Sequence, residues 1–230
     1  MASEPTRRLG AVRHALPPVP SPRLTRELRL EEALPMGSQR EVPARYLNRL
    51  VASSTGPRLL AARVFPDAKE VTESFGARQA IAHVSGLDPR DSSVMLVSVG
   101  DGTTPRTAAT FALTTAWQCH AVDPRLRAKA TWNRIPRLTC HRVRVEEVEL
   151  QADTVVVAMV HAHVEASAAL ASIRARRVVV IAMPCCVPVG LPVEPVVRYR
   201  DRFIGSPSNE IAIWVNPHCP QTAATGSWDQ

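Results

Sequence analysis

A chain of 230 residues can bury one good core and still leave residues for an arm or appendage. Hydrophobic residues make up 45% of it, but no apolar run nears the roughly 18 residues a membrane span needs, so a soluble globular protein is expected and a helical membrane protein excluded. The formal charge is +7 and almost wholly guanidinium, Lys69 and Lys129 being the two lysines. That balance points to an acidic partner such as nucleic acid, although a GC-rich genome produces the same arginine bias.

Residues 1–40 carry Pro5, Pro17, Pro18, Pro20, Pro22 and Pro35 among scattered arginines, which reads as an extended arm able to order on a partner. The Arg-rich start raises an organellar presequence, against which Glu4 and the prolines argue; no secretory signal is read. Residues 41–90 are expected to form helices packing on the core. The first is over Glu41–Ala52, with Tyr46, Leu47, Leu50 and Val51 on one face, and the second over Ala68–His83. Gly86–Asp91 is turn chemistry.

Residues 91–216 read as an α/β domain. Strands are expected over Val94–Val99, Gln118–Val122, Leu138–Val143, Thr154–Val160 and Arg177–Met183, the fourth a continuous apolar run suited to a sheet covered on both faces. Helices are expected from Pro105 to Thr115, capped by Thr103 or Thr104, and over Glu165–Arg174. Val196–Tyr199 and Glu210–Val215 read as a closing antiparallel hairpin, and residues 217–230 as a loose tail. The fold class is therefore a Rossmann-like α/β sheet, mostly parallel, with helices on both faces.

Four clusters carry chemistry in this order. Gly100 and Gly102 follow the first strand, where a glycine turn can bring backbone amides to a carboxylate or phosphate. Asp123, about twenty residues on, ends the second strand and can accept hydrogen bonds from ribose hydroxyls. His161 and His163 end the fourth strand, and Pro184-Cys185-Cys186 the fifth. In an open parallel sheet these strand ends are expected to converge on one crevice, a nucleoside site. Cys119-His120, Cys140-His141 and His218-Cys219 add soft ligands, but no C-x-x-C or H-x-x-x-H spacing appears, so no metal is expected. Five cysteines without framework spacing read as free thiols in a reducing, intracellular and cytoplasmic setting.

Two segments resemble the Rossmann-fold S-adenosylmethionine-dependent methyltransferases. S-V-G-D-G-T-T at 98–104 resembles their glycine-rich first motif, and A-V-D-P at 121–124 their acidic second-strand end. H-A-H-V-E-A-S-A-A-L at 161–170 with M-P-C-C at 183–186 is similar to a subgroup with His-Ala-Cys-Gly-like and Pro-Cys-Cys strand ends, which includes proteins associated with RNA. The resemblance spans about residues 94–215. It implies S-adenosyl-L-methionine as cofactor, held by Ser98, Gly100, Asp101, Gly102 and Asp123, and an acceptor near His161, Pro184 and Cys185 as catalytic candidates. His161 could orient the acceptor or take a proton. The chain departs from the family at Ser98, where an acid is usual, and near Thr104, where a third glycine is usual. The expected function is thus a methyltransferase with RNA as acceptor. The alternative is a catalytically inactive relative serving as a structural or RNA-binding subunit of a larger assembly, contacted through residues 1–40. No membrane partner is expected.

Overall fold

A hydrophobic run that alternates its side chains between two covered faces needs apolar residues at every position, and the central strands have them. The computed structural model describes residues 43–84 and 86–217; the expected arm and tail lie outside the described residues. Seven strands form one sheet: β1 (Val94–Val99), β2 (Gln118–Val122), β3 (Leu138–His141), β4 (Leu150–Val160), β5 (Ile173–Met183), β6 (Val197–Arg200) and β7 (Glu210–Val215). Their order is β3-β2-β1-β4-β5-β7-β6. β1 to β5 pair in parallel, whereas β7 runs antiparallel to both β5 and β6. This mostly parallel α/β sheet with one antiparallel hairpin is compatible with a Rossmann-like fold. The expected hairpin forms, but its second strand inserts between β5 and β6.

Helices α1 (Ala44–Ala52), α2 (Gly56–Ala62), α3 (Ala68–Val84) and α4 (Arg106–Thr114) cover one face, and the short α5 (Ala166–Ala171) helps cover the other. Leu96, Val156, Ala158, Val179, Ile181 and Ile213 point to the four-helix face. Their neighbours Val97, Val155, Val157, Val180 and Ala212 point to the α5 face. Each fully buried aliphatic side chain in these strands contributes about 1.5–3 kcal/mol of transfer free energy. Trp117 stacks on Phe111 with ring centroids 5.7 Å apart, and its indole N–H donates to Asp88 O at 2.9 Å. Trp132 likewise donates to Ala62 O at 3.0 Å, so both buried rings keep their polar atom satisfied.

Several expected boundaries shift. β4 and β5 each begin four residues earlier than read, because Leu150↔Ile173, Gln151↔Arg174 and Ala152↔Ala175 extend their ladder beyond the apolar runs. That pairing takes Ile173 and Arg174 from the expected helix and leaves α5 only six residues. α2 was not anticipated from Gly56-Pro57. Val51, read as core-facing on α1, is 60% exposed.

Helix α3 positions the site. Asp67 accepts from Glu70 N at 3.0 Å and so caps its first turn. The helix packs against α1 and α4 and against β4, β5 and β7. Enclosed on these sides, its Thr72, Glu73 and Ser74 are buried along with Val71 and Phe75.

Candidate functional site

The carboxyl ends of β1, β2 and β4 open into a cleft of about 560 Å³, within the range of small-molecule sites. It lies where the chain order reverses between β1 and β4. Gly100, Gly102 and Thr103 line it from the β1 turn, Asp123 and Arg125 from the β2 end, and His161 and His163 from the β4 end. Glu70 of α3, Arg106 of α4, Arg144 and Glu146 complete the charged wall.

The turn needs its glycines. Gly100 has φ 75° and Gly102 φ 77°, in the left-handed region. A Cβ on Gly100 would stand 2.8 Å from Ala162 Cβ, so the turn also lies tight against the β4 end. Both glycine amides are engaged within the chain, one of them by a carboxylate. Gly100 N donates to Val122 O at 3.0 Å, and Gly102 N donates to Asp123 Oδ2 at 2.8 Å. Arg125 N donates to Asp123 Oδ1 at 2.7 Å. Asp123 is thus clamped at the cleft by one amide per oxygen, and a carboxylate of about four lone-pair sites keeps acceptor capacity for more.

Ser98 and Asp101 do not line the cleft. Ser98 is buried in phase with Val94 and Leu96, towards the helices, and Asp101 is buried beneath the turn. Asp101 Oδ2 accepts from Ala108 N at 3.2 Å, capping α4 in place of the threonines expected to do so. Burial pushes the Asp101 carboxyl above its ordinary pKa, against the opposing pull of Arg106. Asp101 supports the turn from below.

His161 meets a partner that sequence reading missed. Its Nε2 lies 3.1 Å from Glu73 Oε1, which also accepts from Lys69 Nζ at 2.9 Å. Arg106 Nη2 is 4.0 Å from Glu73 Oε2, and its Nη1 is 3.8 Å from Glu70 Oε1 and donates to Asp101 O. Burial alone would raise the Glu73 pKa, but His161 and Lys69 outweigh it and hold the carboxyl below its ordinary value. Burial opposes charging of His161, but Glu73 and Cys185 outweigh that and raise its pKa. Glu70, by contrast, is pushed up by burial despite Arg106. Glu70 Oε2, Glu73 Oε2, Arg106 Nε and His161 Nε2 are buried without a hydrogen-bond partner, His161 facing Glu73 as a charge neighbour, which leaves uncommitted polar capacity at this end of the cleft. The signal for this cluster was present as Asp67-x-x-Glu70-x-x-Glu73, a capped first turn followed by an acid one turn on.

Pro184 and Cys185 lie beside the cleft and do not line it, so three of the four expected clusters converge and the fourth is adjacent. The two are joined by His163, whose Nε2 is 3.5 Å from Cys186 Sγ. Burial raises the Cys185 thiol, but hydrogen bonds from Cys186, His161 and His163 outweigh it and bring the pKa down to about 7. Compared with known proteins, the chain matches no family model and no curated protein.

Proposed function

We propose that the cleft binds S-adenosyl-L-methionine and that the chain is a methyltransferase acting on RNA. The observation that carries this reading is the glycine turn after β1 bonded through Gly102 N to Asp123 at the end of β2, beside the reversal of strand order. Doubly wound sheets hold nucleoside ligands at that position, with an acid at the second-strand end on the ribose hydroxyls. Asp123 takes that role, with Gly100 and Gly102 allowing close approach.

The methionine end of the cofactor is a zwitterion. Glu70 and Arg106, each with a buried polar atom unpartnered at the cleft, offer an acceptor for its ammonium and a donor for its carboxylate. They supply from α3 and α4 the charge that Ser98 does not supply from β1. Asp101 acts indirectly, by holding the turn and the start of α4. Transfer from an already activated sulfonium relies on positioning and desolvation more than on covalent help. His161, held by Glu73, positions the acceptor, and Arg125 and Arg144 on the cleft wall suit phosphates of an RNA acceptor.

Calorimetry with S-adenosylhomocysteine tests this. Binding is expected, and Asp123→Asn, which keeps an acceptor for Gly102 N, is expected to weaken it at least about tenfold, the loss of one charge-assisted hydrogen bond. No heat with the wild-type chain, or unchanged affinity in the variant, contradicts the reading. The buried Ser98 favours one alternative, a catalytically inactive subunit of an RNA-containing assembly, which predicts RNA binding with no cofactor binding.

A further inference from the structure

The parallel register of β4 and β5, with Val160 opposite Met183, brings the residues just beyond both strands side by side. His161 N donates to Met183 O at 3.0 Å, and Ala166 N donates to Val189 O at 2.9 Å, pinning the two following loops together. His163 comes from one loop and Cys185 and Cys186 from the other. Cys186 Sγ is 3.5 Å from His163 Nε2 and 3.6 Å from Cys185 Sγ, and all three ligand atoms lie within 4.8 Å of one another.

The two spacings at Cys186 match edges of a metal tetrahedron, and the third ligand pair lies within 4.8 Å. Zinc bonds of about 2.3 Å to sulfur and 2.0–2.1 Å to nitrogen set neighbouring ligands about 3.5–3.8 Å apart. Two thiolates neutralise a divalent charge, and an imidazole adds a borderline-soft nitrogen, a donor set that selects zinc-like cations over magnesium or calcium. All three side chains are exposed, so an ion has a path in.

We propose that His163, Cys185 and Cys186 form a binding site for one zinc-class divalent cation, with its fourth coordination position open. The site stands apart from the cofactor reading of the cleft and does not depend on it, although His163 lines both. Three protein ligands and one open position are the pattern of sites that present a metal to water or to a small ligand. Sequence spacing did not reveal it because the ligands come from two strand ends 22 residues or more apart, and the register of β4 with β5 closes that gap.

The test uses the full chain, kept reduced, freed of metal with a chelator and titrated with Co²⁺. One Co²⁺ per chain is expected, with a sulfur-to-cobalt charge-transfer band and strong tetrahedral visible bands, both bleached by equimolar Zn²⁺. Cys185→Ser and Cys186→Ser are each expected to weaken binding at least tenfold, His163→Asn to weaken it without abolishing the sulfur band, and Cys140→Ser to leave it unchanged. These three ligands are exposed, and circular dichroism checks that the variants keep the fold. No sulfur band in the wild-type chain, or a band that survives the Cys185→Ser/Cys186→Ser double variant, overturns the site.

Discussion

Two single positions show how tightly the cleft rim is built. Gly100 combines φ 75° with a would-be Cβ only 2.8 Å from Ala162 Cβ, so an added methyl meets both backbone strain and overpacking. Gly100→Ala is expected to lower stability by about 3 kcal/mol, summing a left-handed penalty and a close-packing penalty. An unchanged urea midpoint would refute that account of the turn. The second position is His120 of β2, whose Nδ1 lies 2.9 Å from His141 Nε2 of β3. Burial, then the neighbouring His141, lowers its pKa from 6.5 to about 4. A histidine whose folded pKa is lowered resists the proton that the unfolded chain takes up. Its contribution to stability is therefore intact above pH 6.5 and is lost as pH falls from there towards 4. The difference in unfolding free energy between His120→Gln and wild type, followed from pH 8 to pH 4, is expected to move in the variant's favour below about 6.5. A difference that stays flat across that range contradicts the assignment.

Among the elements, α3 is the one that sequence periodicity placed best and interpreted least well. Its bounds were legible from the apolar positions Val71, Phe75, Ala80 and Ile81, but the surroundings of the polar positions between them were not. The packing of α1 and α4 around it, invisible to a local pattern, encloses Glu73 and turns it towards Lys69, Arg106 and His161. Glu73→Gln removes the charge shared by these cations and is expected to cost about 3 kcal/mol, as for one side of a buried ion pair. Chemical denaturation measures it, and a loss below about 0.5 kcal/mol, the usual size for a surface change, would show the cluster to be solvated after all. The strands show the same limit. β1, β2 and β7 were legible to the residue because apolar runs and turns bound them. The early starts of β4 and β5 were not, because Gln151 looks like a loop residue and Arg174 like a helix end, and it is pairing between strands that holds them in the ladder. At that extension Arg176 forms a two-pronged pair with Asp153, an interaction no single-strand pattern contains.

Across the whole molecule, sheet order decides which sequence clusters meet. The glycine turn, Asp123 and His161 were legible as strand ends and do line one cleft. Ser98 and Asp101 were assigned to the same site by the resemblance of the 98–104 segment to a glycine-rich cofactor motif. Strand phase and burial place them under it, where Asp101 caps α4. Glu70 and Arg106 were missed because they come from helices, one of them outside the strand-turn-helix segment that drew attention. The central claim is that this assembled cleft holds an adenosyl cofactor, and crystals grown with saturating S-adenosylhomocysteine test it most directly. The account predicts density for the nucleoside beside Gly100, with ribose hydroxyls on Asp123 and the amino-acid end between Glu70 and Arg106. A cleft without ligand density under those conditions, or the ligand bound elsewhere on the chain, would contradict it.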